Sequence, residues 1–452
     1  MNFGDSATFS PAGTNGTSSA TAAAEVVELA AQLIRIDTTN TGDSATSAGE
    51  RVAAELVAAK LAEVGIDSQL FETEPGRTNV VARIPGTDRT RGGLVMHGHL
   101  DVVPAIAADW QVPPFSGEVR DGYLWGRGAV DMKNMNAMIL AVVRQWAREG
   151  RTPPRDVVLA FFADEEAGSV LGSWYLAREH PELFEGCTEA IGEVGGFSIT
   201  LAGDRRIYPI MTGEKGLTWT RLTATGRAGH GSMVHADNAV TVLAQAVARV
   251  GRHTFATQLG PTVRAFLEQA ADVLGVEFDE ADPAALVSKL GTASRLIGAT
   301  LCDTANPTML NAGYKANVIP GSASAVVDCR VLPGHEAQFE RELDELLGPD
   351  VTREPIVTFS PLEIEPHQPL MNVMADCIIA ADPGARVAPY LLSGGTDAKA
   401  LAMLGIDCYG FSPMRLPADL DFTALFHGVD ERVSVQALRF GVGVLDQFLA
   451  RC

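Results

Sequence analysis

The segment Val157-Val-Leu-Ala-Phe-Phe-Ala-Asp-Glu-Glu-Ala-Gly168 constrains this chain more than any other. Its uninterrupted apolar run reads as a strand buried on both faces, which belongs inside a helix-covered sheet. Three consecutive acids follow at its carboxyl end. Adjacent buried carboxylates repel one another unless cations offset them, so a binding chemistry is already implied at that sheet edge.

Two further segments repeat the pattern. Gly93-Leu-Val-Met-His-Gly-His-Leu-Asp-Val-Val-Pro104 is an apolar strand ending in His99, with Asp101 two positions on, where a carboxylate can orient an imidazole. Leu124-Trp-Gly-Arg-Gly-Ala-Val-Asp-Met-Lys133 places Asp131 after a glycine-containing turn and before a helical stretch, where one carboxylate can reach two cations. With Glu165, Glu166, Glu193 and His427, these residues look like the donor set of a two-metal hydrolytic site.

Helix and strand alternate through residue 211. Helical spacing covers Ala22 to Ile36, Ser47 to Val64 and Asn134 to Trp146, and strand candidates lie at Asp67 to Glu72 and Asn79 to Ile84. The fold class expected is α/β, a helix-flanked mixed sheet whose ligands lie beyond the strand carboxyl ends. From Gly213 the pattern becomes alternating strand, then a helix from Asn238 to Val250, a helical insert near Pro261 to Ile297, and strands at Met309 to Tyr314 and Ser322 to Leu332. A helix from His335 to Leu347 and a strand near Pro355 to Ser360 complete a smaller α+β unit. The expected organisation is a flexible tail over residues 1–22, a catalytic domain over 23–211 and 366–452, and an inserted lid or dimerisation domain over 212–365.

Composition narrows the partners. A chain of 452 residues with 46% hydrophobic content can bury a large core. A net charge of −21 argues against nucleic acid, which needs clustered Lys and Arg. No apolar run suggests a membrane span. Residues 1 to 22 lack the basic start and apolar centre of a signal peptide, and the six cysteines are dispersed as in a reduced cytoplasmic protein.

The motifs together resemble the metallopeptidase family that holds aminoacylase, acetylornithine deacetylase, succinyl-diaminopimelate desuccinylase and carboxypeptidase G. The resemblance spans most of residues 25–452 and rests on Gly98-His-Leu-Asp-Val-Val-Pro104, Trp125-Gly-Arg-Gly-Ala-Val-Asp-Met-Lys133, Asp164-Glu-Glu166, Gly192-Glu193, Gly229-His-Gly-Ser232, Asn317-Val-Ile-Pro320 and Phe426-His427. It implies two divalent ions, zinc with cobalt or manganese as substitutes. His99, Asp131 and Glu193 would hold one ion, and Asp131, Glu166 and His427 the other. Glu165 would be the general base, with Asp101 orienting His99 and His230 stabilising the oxyanion from the same chain or from a partner subunit. Arg330 and Asn317 would hold the carboxylate of the amino-acid product, and Gly394 and Gly395 the substrate loop.

The implied activity is hydrolysis of the amide bond in a small N-acyl-amino acid or dipeptide. A biosynthetic desuccinylase or deacetylase and a non-catalytic metal-binding relic stand as alternatives, and the inserted domain is the expected homodimer contact. Each residue also has a plainer reading: Asp164 as a strand-end polar group, His97 as core, His235 as a packing residue, and Arg330 as the ion-pair partner of Asp328 or Glu340. Other catalytic plans fail. No Gly-x-Ser-x-Gly elbow occurs, Phe339 stands where His335-Glu-Ala-Gln would need a second histidine, and Asp131 replaces the last glycine of a dinucleotide fingerprint.

Overall fold

The computed structural model describes residues 21–365 and 368–452. The expected tail therefore falls outside the described residues except for its last two positions, and a helix already begins at Ala22. Residues 366 and 367, where the second catalytic segment was expected to start, also lie outside them.

Among the described residues, one ten-stranded mixed sheet dominates. Its middle is parallel: Gly93–His99 lies between Val157–Phe162 and Cys187–Gly192, and Asp407–Gly410 continues parallel to Cys187–Gly192. Antiparallel strands flank this centre, with Arg77–Ile84 on one side and Arg205–Glu214 on the other. The central strands are buried along their whole length, as their unbroken apolar runs require. Helices Ala22–Ile34, Lys133–Glu149 and Val435–Leu449 pack together in the layer against the sheet. Buried Lys133 ties that layer, its ammonium donating to the carbonyls of Leu33 and Ile36 at 3.0 and 2.8 Å.

His97 packs in the core as expected. A side chain at Gly192 on the neighbouring strand would meet its ring at 2.3 Å, so only glycine admits the imidazole there. Burial pushes its pKa down to about 3.

The second sheet is antiparallel, in the order Thr304–Ala312, Ser322–Val331, Gly216–Thr225 and Val351–Phe359. Helices Ala239–Arg252 and Glu336–Leu347 cover one face, enclosing a separate core around Leu222, Leu243, Val327 and Phe339. The helical insert departs from its expected place. Pro261–Leu274 packs on Arg386–Leu392 and Arg205–Glu214, and its apolar face, with Val263, Phe266 and Leu267, joins the large core. Its amphipathic pattern named a buried face but not which sheet would bury it. No helix of the described residues is long and apolar enough to cross a membrane.

Candidate metal centre

The three adjacent parallel strands release their carboxyl ends side by side, and the acids and histidines follow from that. His99 ends Gly93–His99, Glu165 and Glu166 form the turn after Val157–Phe162, and Glu193 follows Cys187–Gly192. Asp131 arrives on the turn before helix Lys133–Glu149, and His427 on the loop after the turn Phe422–Ala424.

The structure brings all six together. His99 Nε2 lies 3.0 Å from Asp131 Oδ1, 3.7 Å from Glu193 Oε2 and 3.8 Å from Glu165 Oε2. His427 Nε2 lies 3.3 Å from Asp131 Oδ2 and 3.1 Å from Glu166 Oε2. Asp131 thus faces one histidine with each oxygen, the arrangement a bridging carboxylate needs. Possible ligand atoms of His99, Glu165 and Glu193 fall within 4.8 Å of one another, as do those of His99, Asp131 and Glu166. The donor set fits divalent cations on a second ground: Glu166 Oε1 is buried with no hydrogen-bond partner among the described residues.

Electrostatics express the same crowding. Burial raises Glu166 to about 7, helped by Asp131, and burial raises Glu193 to about 8. Burial and then the charge of Glu193 hold Glu165 well above the ordinary carboxylate range. Hydrogen bonds to Asp131 and Glu166 lift His427 to about 10. Burial would depress His99, but Asp101, Asp131 and Glu193 override it and hold the imidazole well above its usual value. Three acids that resist ionisation beside two imidazoles that hold protons call for a stronger positive charge.

A buried scaffold fixes these side chains. Asp101 accepts the backbone amides of Glu165 and Glu166 at 3.1 and 3.0 Å, and Asn40 Nδ2 at 2.8 Å. Its carboxylate lies 3.6 Å from His99 Nδ1, while its own backbone carbonyl is closer, at 3.0 Å. The carbonyl makes the shorter contact with the imidazole, while the carboxylate holds the Glu165-Glu166 turn and adds its charge beside the ring. Asp164 points away from the cluster. It pairs with buried Arg77 at 2.8 Å, and Arg77 also holds Glu50.

Glu431, which the sequence reading missed, is fully buried. It accepts the amides of Gly128, Val130 and Asp131 at 3.1, 2.6 and 3.0 Å and the Arg127 guanidinium at 2.7 Å. In sequence it resembles any acid of a polar loop. Its position four residues after His427 was the one available signal.

The cluster opens into a cavity of about 550 Å³ between the two sheets. Arg330, Gly394 and Gly395 line it, so three of the four expected substrate residues face the centre. Arg330 also realises its plainer reading, donating from Nε and Nη2 to Asp328 at 2.7 and 3.0 Å. His230 and Asn317 do not line the cavity. They sit on a short ribbon pairing Gly229–His230 with Val318–Ile319, where the amide of Gly231 donates to the Asn317 carbonyl, and both are exposed. Sequence placed them in order, but only the orientation of the second unit decides whether they reach the cluster. His235 packs its ring against Gly229, as a packing residue would.

The profile described as Peptidase family M20/M25/M40 matches residues 95–451. Aminoacylase-1 from Sus scrofa is 28% identical over 398 residues, which is 86% of each chain. The N-fatty-acyl-amino acid synthase/hydrolase PM20D1 of Xenopus tropicalis is 29% identical over 385 residues, 79% of this chain and 72% of that one. The fold is shared with the M20 family metallo-carboxypeptidase Sso-CP2 from Sulfolobus solfataricus, with a TM-score of 0.70, 17% identity, and coverage of 94% of this chain and 98% of that one.

Proposed function

We propose that this chain, which belongs to peptidase family M20/M25/M40 and is a hydrolytic enzyme acting on amides, cleaves an N-acyl-amino acid or a dipeptide in the cavity above the acid cluster. The observation that carries this reading is Asp131, which faces His99 with one oxygen and His427 with the other at the floor of that cavity. His99, Asp131 and Glu193 would hold one divalent ion, and Asp131, Glu166 and His427 a second, with zinc the expected metal. Such ions supply Lewis acidity and lower the pKa of a water.

The chain's own groups do the rest. Glu165, lining the cavity beside the ligands, takes a proton from the attacking water and returns it to the leaving nitrogen. Asp101 holds the turn that carries Glu165 in place through two backbone amides. Among the described residues Arg330 Nη1 has no hydrogen-bond partner while Asp328 fixes its other nitrogens, so it can meet the carboxylate of the amino-acid half. Gly394 and Gly395 let the backbone approach the substrate.

His230 supports a homodimeric reading, because it stands on a ribbon outside the cavity. The same unit exposes Met233, Val234, Met309, Leu310 and Tyr314, with Met309 and Leu310 on the edge strand Thr304–Ala312. An uncovered apolar edge of that kind suits a second copy, whose His230 would then complete the centre. The six cysteines, none in a disulfide, suit a reducing cytoplasmic setting.

The test is amine release from a panel of N-acetyl-, N-succinyl- and longer N-acyl-amino acids and dipeptides, with protein loaded with zinc or cobalt. Glu165→Ala should abolish turnover while still binding metal. Turnover surviving in that variant would remove Glu165 from the mechanism. Full metal loading with nothing cleaved would favour the metal-binding relic.

A further inference from the structure

The four-stranded sheet changes character along its open face, the one turned away from helices Ala239–Arg252 and Glu336–Leu347. Far from the acid cluster the pairing of Gly216–Thr225 with Val351–Phe359 is polar: Arg221 stands opposite Glu354, and Thr223 opposite Thr352. Toward the cluster it becomes apolar, with Leu217 opposite Phe359 and Trp219 opposite Val357. The small unit's own core lies on the other face and does not require these four side chains. A sheet with one solvated face normally places polar residues there. All four line the cavity.

The opposite wall answers in kind. Trp174, from helix Ser173–Glu179 of the large unit, stacks on Phe359 with centroids 5.3 Å apart and planes 11° apart. Val170 and Leu392 continue that wall. The apolar lining therefore comes from both units and meets at the cluster.

The charges of the lining narrow the occupant. Among its described residues, the cations outside the cluster are Arg330 and Lys399. Lys399 Nζ donates to the carbonyls of Lys215 and Ser360 at 2.8 and 3.1 Å and lies 3.3 Å from Glu214, so it is already satisfied. Arg330 retains one free nitrogen, enough for the single carboxylate of the amino-acid half. A succinyl group would bring a second carboxylate with no cation left to receive it. The carboxylates of the lining are Asp131, Glu165, Glu166 and Glu193, all within the cluster, so the free ammonium of a dipeptide has no anion of its own.

Resting on the amide-hydrolase reading above, we propose that this cavity is an acyl subsite selecting N-acyl-amino acids whose acyl half is an extended, uncharged hydrocarbon chain. Leu217, Trp219, Val357, Phe359 and Trp174 form its walls. The names of the two sequence relatives differ on this point, aminoacylase-1 leaving the acyl group open and the other specifying a fatty acyl group, whereas the lining of this chain's own cavity distinguishes among acetyl, succinyl, aminoacyl and long hydrocarbon groups. A volume of about 550 Å³ far exceeds what an acetyl group fills.

The experiment measures kcat/KM along a series from N-acetyl to N-decanoyl on the amino acid best cleaved, with N-succinyl and dipeptide comparators. Each added methylene should raise kcat/KM by about fourfold until the cavity is filled. Trp219 is 39% exposed, so Trp219→Glu should fold normally; it should cut decanoyl kcat/KM by at least about tenfold more than it cuts acetyl kcat/KM. A flat series, or a preference for acetyl, succinyl or dipeptide substrates, would overturn the subsite while leaving the hydrolase reading intact. If no amide is cleaved, the hydrolase reading falls and the subsite is judged by tryptophan fluorescence titration with N-decanoyl- and N-acetyl-alanine. Decanoyl binding at least about tenfold tighter, and weakened in Trp219→Glu, supports it; equal binding refutes it.

Discussion

Removing the Glu431 carboxylate should damage both the fold and the metal centre, although Glu431 is not among the proposed ligands. In the wild type it is fully buried and satisfies three backbone amides of the Asp131 turn together with the guanidinium of Arg127, itself only 3% exposed. Glu431→Ala leaves those donors in a dry interior. Breaking a buried ion pair from one side costs about 3–5 kcal/mol, and each unsatisfied buried amide about 1–3 kcal/mol. The contributions are not additive, because Arg127 keeps contacts with the carbonyls of Pro104 and His427 and lies over the Trp110 ring. A loss of about 3–5 kcal/mol is therefore expected in urea unfolding of the metal-free protein.

A second effect should appear in calorimetric metal titration. Asp131 would lose the anchor of its own backbone amide, so affinity should fall by about 10- to 100-fold. Glu431→Gln keeps the shape but turns an NH₂ toward donors, and should show the same losses at smaller size. Stability within about 1 kcal/mol of wild type in Glu431→Ala, with metal affinity unchanged, would refute the positioning role.

Arg77→Met should be destabilising by about 3–5 kcal/mol, because Glu50 and Asp164 would remain as buried acids without their shared cation. Denaturant melts check this, and a neutral result would deny that the Arg77 network supports the acid turn. In the metal-free protein Glu166 and Glu193 titrate near 7 and 8, against 4.5 when unfolded, so the native state binds more protons across that interval. Stability should then fall as pH rises from about 5 to 8. His427, raised to about 10, contributes in the same sense, its stabilisation being complete below its unfolded value and lost on passing the folded one. Metal loading at pH 7 should release protons from these groups, which calorimetry in buffers of different ionisation enthalpy would count; no release would contradict the raised values.

Much of the centre was legible in the sequence because its groups are tied to strand ends. An apolar run that stops at His99, another that stops before Asp164-Glu165, and a strand near Ala190 that precedes Glu193 set where those side chains emerge once the strands are parallel neighbours. Periodicity also gave the helix Asn134 to Trp146, found as Lys133–Glu149, and the change to alternating strand character near residue 213, where the strand Gly216–Thr225 lies. Strand and helix limits shifted by a few residues, since end residues are set by capping and pairing partners that one segment does not contain.

What only the tertiary structure decided depends on contacts between segments remote in sequence. The amphipathic helix Pro261–Leu274 had a buried face, but its burial against the large sheet was fixed by packing with strands 205–214 and 386–392. Glu431 and Arg77 gained their roles from buried partners that local patterns do not reveal. His230 and Asn317 were placed by the second unit's orientation, which carries them away from the cavity. The apolar stripe of Leu217, Trp219, Val357 and Phe359 became a wall only when strand register aligned them and Trp174 closed on them. Sequence determined which groups stand at the ends of the central strands, because side-chain periodicity is local; the fold decided what surrounds them, because burial and charge compensation are not.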